Sequence, residues 1–347
     1  MDALTHNSLK SRKSLELMSN ANEHAFAQFI RTIGKGKTGR RSLTQQEAQT
    51  AMQMILANDI EPLQLGAFLM VLRVKEESAE EIAGFVLACR EYINKDKPVI
   101  IKPDLDWSSY AGKKRQPPWF LLSALLLAQS GYRVFMHGAS GHTPNRLYSE
   151  EVLKQLGICI ATNWQQCEQQ LNAHNFSFMP IKSLCKPLHD IIELRPLLGL
   201  RSPVHTLTRL LNPLGSDATL QSVFHPSYTD THHHAAQLLM QKNAAVFKGE
   251  GGEVEYRPQA DIMIKGLSNG ESELYTIPRQ AEAPDETDVS SQILLNLWQE
   301  TKCNSHGLKA VLGTAAIALK TMGVAKNISQ AQQLAQQLWD QRKESLV

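Results

Sequence analysis

The stretch Ser109-Tyr-Ala-Gly-Lys-Lys-Arg-Gln-Pro-Pro-Trp-Phe120 gathers three cations, Lys113, Lys114 and Arg115, beside Gly112, a proline pair and aromatic residues. A strongly apolar run, Leu121 to Leu127, follows at once. A basic, glycine-containing turn that enters a helix is a place to hold phosphate. Backbone N–H groups point outward there, and the helix dipole favours an anion. Arginine forks onto a phosphate, whereas lysine acts as a point charge. Gly112 permits close approach of the backbone. Pro117 and Pro118 have no N–H to donate, so a charged patch suits this loop better than a tight amide cradle. The plainer alternative is a solvated turn whose cations keep the chain soluble.

A second basic stretch, Gly34 to Arg41, carries Lys35, Lys37, Arg40 and Arg41. Its Gly-Lys-Thr unit is not a P-loop, because Arg31 stands where that pattern needs glycine. It reads as a flexible basic hairpin, with contact to a nucleic-acid backbone as the sharper alternative. His232, His233 and His234 are consecutive, so on a helix they point in different directions. No partner at i+4 completes a metal set, and they read as surface histidines at a helix start. The five cysteines, Cys89, Cys159, Cys167, Cys185 and Cys303, are scattered and form no CxxC pair. They read as reduced structural thiols of a cytoplasmic protein.

Elements that position these loops follow from the rest of the chain. Its 347 residues, 42% hydrophobic and 20% charged, fit a soluble protein of two domains. With a net charge of only +2, anion binding has to come from clustering rather than total charge. No run reaches the roughly 20 apolar residues of a membrane span. The polar N-terminus reads as a mobile tail over residues 1–23. Helices are expected from about Glu23 to Tyr92, with capping boxes at Thr44–Glu47 and Ser78–Glu81. Strands are expected at 98–107, 132–138, 158–161 and 176–181, with helices at 149–157 and 167–175 between the last three. Residues 188–213 read as helical; a helix and strand follow at 235–249, then strands at 260–264 and 273–277. Three helices close the chain, around 291–299, 308–322 and 329–343. Strand–helix alternation of this kind predicts a largely parallel sheet covered on both faces.

Three segments carry a resemblance. "MHGASGHTPNR", "ELRPLLGLRSPVHTLTRLLNPL" and "AVLGTAAIALKTMG" resemble anthranilate phosphoribosyltransferase and the related nucleoside phosphorylases, over about residues 24–345. Leu210 to Leu214, preceded by Arg195 and Gly199-Leu-Arg201, is similar to the family's "RRELGIRT…GPLLNP" signature. His137-Gly138 with Asn145-Arg146 resembles its "KHGNR" loop, opened by an insertion. The resemblance implies a small helical domain beside a larger α/β domain with a central, mostly parallel sheet and a cleft between them. The helical domain would comprise 24–95 with a contribution from about 188–225, and the α/β domain 96–187 and 226–347. It also implies a homodimer formed through the helical domain.

The departures from the family matter as much. Its "GTGGD" loop, which grips the pyrophosphate of phosphoribosyl pyrophosphate, is replaced by Asp106 to Lys113. In its "GxDGLDE" magnesium turn, here Gly249 to Glu255, Val254 takes the place of the aspartate and Glu255 that of the glutamate. A longer, more basic loop suits a polyanion without fixed register. Tyr110 and Trp119 could stack on bases, with a core role the plainer reading for Trp119. The combination looks like a divergent, nucleic-acid-binding branch of the family. The first expectation is therefore a homodimer that contacts the phosphate backbone of DNA or RNA with little sequence preference. Contacts would come from Lys35, Lys37, Arg40, Arg41, Gly112, Lys113, Lys114, Arg115 and Arg146. The second is a phosphoribosyltransferase with an acceptor other than anthranilate. His137, Asn145 and Arg195 would then line the acceptor side, and Glu255 would touch magnesium. A third is a module that binds a small phosphorylated ligand without chemistry.

Overall fold

The structure is a computed structural model and describes residues 23–95, 97–98, 102–284 and 289–346. The expected tail, and the Val99–Ile101 part of the first expected strand, lie outside the described residues.

Five helices open the chain: α1 (Ala27–Gly34), α2 (Gly36–Gly39), α3 (Gln45–Leu56), α4 (Pro62–Lys75) and α5 (Ala79–Asn94). Both capping boxes form, at Thr44–Glu47 and at Ser78–Glu81. Glu81 is fully buried, so its carboxylate must be satisfied on all sides. It accepts the N–H groups of Leu43 and Ser78 and pairs with Lys75. Helices α3 and α5 pack so closely that a Cβ on Gly84 would meet Gln45 O at 2.2 Å.

The rest is built on one seven-stranded sheet in the order β3-β2-β1-β4-β5-β6-β7. The strands are β1 (Leu105–Ser109), β2 (Val134–Gly138), β3 (Phe176–Pro180), β4 (Ala218–Val223), β5 (Asn243–Lys248), β6 (Ile262–Ser268) and β7 (Glu271–Ile277). The first five run parallel, and β6 and β7 close the sheet antiparallel. Side chains alternate across it with period two. Leu105, Trp107, Val134, Met136, Phe176, Phe178 and Leu220 share a core with α6 (Phe120–Gln129), α14 (Ser291–Trp298), α15 (Ser305–Thr321) and α16 (Ile328–Asp340). The other face carries Asp106, Phe135, His137, Thr219 and Gln221, all buried.

Between strands lie α7 (Ser149–Gln155) and α8 (Trp164–His174), then the short α9 (Ile181–Leu184). After them come α10 (Lys186–Glu193), α11 (Arg195–Leu198) and α12 (Val204–Leu207), and α13 (Tyr228–Leu238) lies between β4 and β5. Helix α13 packs on α5 and joins the helical bundle to the sheet. Arg90 of α5 adds a tether by donating to the carbonyls of Leu210 and Leu211.

Several expectations change. Residues 158–161 form no strand and make a single backbone bond to the sheet there, from Ala161 N–H to Phe178 O. The expected helix over 188–213 is broken into α10, α11, α12 and a 3-10 turn at Thr208–Leu210, because Pro196 and Pro203 each restart it and Gly199 ends α11 at φ +69. Strand β4 was not expected. Its Thr219, Gln221 and Ser222 are polar yet buried at the centre of the sheet. The middle contribution to the helical domain therefore stops short of β4 rather than running to 225.

Candidate functional site

Strand β1 leaves the sheet at Ser109, and residues 110–113 turn across its carboxyl edge. Gly112 sits at φ +67, and a Cβ there would come within 2.9 Å of the Tyr148 ring. Only glycine meets both demands. The loop amides do face an anion, but it belongs to the chain. Ala111 and Gly112 both donate to Glu253 Oε1, the former at 2.7 Å. Lys113 is 1% exposed, and its ammonium pairs with Glu255 Oε1. The second Glu255 oxygen accepts the Phe120 N–H at 3.0 Å, at the start of α6. Burial pushes the Glu255 carboxyl up to about 7, against the pull of Lys113. Burial raises Glu253 as well, opposed by Arg209 and by the two amides.

Beside this filled loop an open cavity of about 410 Å³ lies at the carboxyl end of β4, with Arg146 of its lining bonded to the loop after the neighbouring β1. The chain reverses direction across the sheet between these two strands, which is where open α/β sheets place their ligands. Arg73, Arg146, Arg195, Arg201 and Arg209 line it, together with Thr143, Ser202, His205, Phe224 and His232. Main-chain carbonyls fix most of the guanidinium groups. Arg146 donates to Ala111 O and Gly112 O, and Arg195 to His142 O and Thr143 Oγ1. Arg209 donates to Gly252 O at 2.7 Å, Arg201 to Thr143 Oγ1, and Arg73 to the Tyr228 hydroxyl.

Among the described residues none of these five pairs with a carboxylate. The electrostatic cost is visible at Arg201. Burial, and then repulsion from Arg146, Arg195 and Arg209, pushes its guanidinium down to about 10. Burial and the same neighbourhood hold His142 at about 4 and His205 at about 3, so both are neutral at neutral pH. Glu253 acts through space on Arg209 and Glu77 is acted on by Arg73, but Arg146, Arg195 and Arg201 crowd one another without such a neighbour, and a clustered positive field of this kind attracts anions. A larger groove of about 880 Å³ beside β3, lined by Ile158, Ile160 and Phe176, has no such charge cluster.

Of the residues expected from sequence, Arg146 and Arg195 are in this cavity. Lys113 is not a mobile cation, because Glu255 consumes its charge in the interior. Lys114 and Arg115 are exposed and outside the cavity lining. Lys35, Lys37 and Arg40 are exposed around α2, away from it, and Arg41 pairs with Glu47. His137 is fully buried between Tyr110 and Asp106 and does not line the cavity. Asn145 is exposed at φ 58. Tyr110 and Trp119 are core residues with no free face for a base. Of the histidine run, His232 is buried against Gln221 rather than at the surface. Sequence reasoning passed over Arg73, Ser202, His205, Arg209 and Glu253. The Arg201 to Arg209 segment carried the signal: two arginines flanking a histidine inside the quoted signature.

The chain belongs to the glycosyl transferase family. Residues 27–93 match the family's helical bundle domain, and residues 120–343 its a/b domain. It is similar to the Escherichia coli protein YbiB, 31% identical over 239 residues, or 67% of this chain and 73% of that one. It is also similar to anthranilate phosphoribosyltransferase of Methylocella silvestris, 28% identical over 87% of this chain and 88% of the relative. In fold it resembles the anthranilate phosphoribosyltransferase of Thermus thermophilus, with a TM-score of 0.77, 21% identity and 93% and 95% of the two chains covered. The Saccharomyces cerevisiae enzyme in complex with PRPP and Mg gives a TM-score of 0.74 at 14% identity, over 92% and 94% of the two chains.

This chain's own residues do not fit a magnesium ion at the 249–255 turn. Val254 is apolar and buried, Glu255 is committed to Lys113 and Phe120, and Glu253 Oε1 to two amides, which leaves Glu253 Oε2 as a single buried oxygen without a hydrogen bond among the described residues. Among the described residues no three His, Cys, Asp or Glu side chains are grouped to hold a metal. No described helix is long and apolar enough to cross a membrane.

Proposed function

We propose that the cleft recognises phosphate esters, and that the chain transfers a phosphoribosyl or related glycosyl group to an acceptor other than anthranilate. The observation that carries this is the set of five arginines around one cavity, none of them in an ion pair with a carboxylate among the described residues. Family membership and the names of the relatives support the transfer chemistry. The fixed guanidinium groups would supply the positive charge that a departing phosphate needs, at no cost of reorganisation. Pyrophosphate release from phosphoribosyl pyrophosphate, measured against a panel of aromatic amines and bases, tests it. Release with at least one acceptor, lost in Arg201→Gln, is expected. No release with any acceptor removes the transferase reading.

One observation favours a second reading, contact with the phosphate backbone of DNA or RNA. Glu253, Glu255 and Lys113 neutralise one another's loops from within, which leaves the arginines but no free amide nest. A phosphodiester needs only the arginines. With about four contacts engaged, the log–log salt slope for oligonucleotide binding would be about −3 to −4, at ~0.7–0.9 per contact. A flat salt series counts against this reading. In either reading we propose a homodimer; α4 exposes Leu63 and Val74, and light scattering of the purified chain tests it.

A further inference from the structure

Two residues that line the arginine cavity each carry a buried polar atom with no partner among the described residues. His205 is 8% exposed and Ser202 4%, and both line the cavity. His205 Nδ1 lies 3.1 Å from the carbonyl oxygen of Ser202. A carbonyl only accepts, so Nδ1 carries the proton and Nε2 presents a lone pair. No described residue donates to that lone pair, and Ser202 Oγ is likewise without a partner among the described residues. Leaving such groups unmet in the interior is costly, and native structures do so where a ligand completes them. The surrounding arginines are donors only. They could donate to His205 Nε2, yet none of them does, so that acceptor is left for a donor on the ligand. Burial, His142 and Arg201 keep the ring neutral, so it does not become a further donor.

We propose that His205 and Ser202 are specificity-determining residues that read a hydroxyl or amino donor next to the phosphate, so that the cleft prefers a sugar phosphate to a bare phosphate monoester. This rests on the phosphate-ester reading above. His205 Nε2 accepts the ligand's O–H or N–H, Ser202 Oγ adds a second hydrogen bond, and the arginines hold the phosphate. One neutral hydrogen bond of this kind corresponds to about tenfold in affinity.

Isothermal titration with ribose 5-phosphate and with methyl phosphate tests it, since both carry the same phosphate monoester and only one has hydroxyls. Expected is about tenfold tighter binding of ribose 5-phosphate to the wild type. In His205→Leu the preference should vanish with methyl phosphate binding unchanged. His205→Gln, which keeps an acceptor, should retain part of it, and Ser202→Ala should narrow it. Equal affinities in the wild type overturn the proposal. So does a loss in His205→Leu that weakens both ligands alike, because a structural role would do that. If neither compound binds the wild type, the phosphate-ester reading itself fails and this inference falls with it.

Discussion

The ammonium of Lys113 and the carboxylate of Glu255 meet in the interior, each 1% exposed, between the loop after β1 and the turn after β5. A buried pair of this kind adds little net stability over an apolar pair, but either member alone is a stranded charge. Lys113→Met should cost about 3–5 kcal/mol in urea unfolding. Lys113→Met combined with Glu255→Leu should cost less than that single change. Additive costs would show that the two groups do not depend on each other.

Glu77 gives the pH dependence of stability a definite sign. It is 5% exposed, and among the described residues no other residue donates a hydrogen bond to its carboxylate. Burial raises it to about 7, opposed by its own backbone N–H and then by Arg73 and Lys75, with Glu81 adding to the rise. The folded state thus keeps a proton that the unfolded chain releases from its ordinary 4.5. Stability from this group falls as pH rises from 4.5 to about 7 and is level above. Glu77→Gln should leave stability at pH 4 unchanged and raise it at pH 8 by roughly 3 kcal/mol. Urea midpoints at the two pH values check this.

Arg201 is held among like charges, so removing it has opposite effects on the free and the liganded protein. Arg201→Gln should leave the free fold as stable or more so, because repulsion with Arg146, Arg195 and Arg209 is relieved. It should weaken binding of methyl phosphate at least tenfold, the loss expected for one charged hydrogen bond of about 1.5–3 kcal/mol. At 100 times the dissociation constant, that ligand should stabilise the wild type by about 2.7 kcal/mol. Thermal unfolding with and without methyl phosphate reads both effects.

Gly313 explains the glycine inside "AVLGTAAIALKTMG". A Cβ there would lie 2.2 Å from the Tyr256 ring, which is fully buried. Gly313→Ala should destabilise by about 1–3 kcal/mol through overpacking, despite alanine's better helix propensity. An unchanged unfolding midpoint would mean that the ring can move aside.

Helices with caps and periodic apolar faces were legible, as were the hydrophobic strands around Val134 and Ile262, because local chemistry decides them. Strand β4 was not legible: Thr219 and Gln221 look like surface residues, and only the sheet on either side makes them interior. The basic loops misled for a related reason. Sequence shows that Lys113 is a cation but not that Glu255, 142 residues on, waits for it. Arg73 and Arg209 are 136 positions apart, and only the packing of α4 against the cleft brings both to one cavity. The spacing of His205 between Arg201 and Arg209 was visible in the sequence, but its unpartnered Nε2 is visible only in the fold.

If phosphate esters dock on them as proposed, the anchoring of Arg146, Arg195 and Arg209 by main-chain carbonyls would make the cleft behave as a ruler. Side chains free to swing would welcome any dense negative charge and adapt to it. Tethered ones set fixed intervals between their docking points, and a ligand must match those intervals or lose contacts. Crowding more negative charge onto a molecule of the wrong span should therefore gain less than correcting its length.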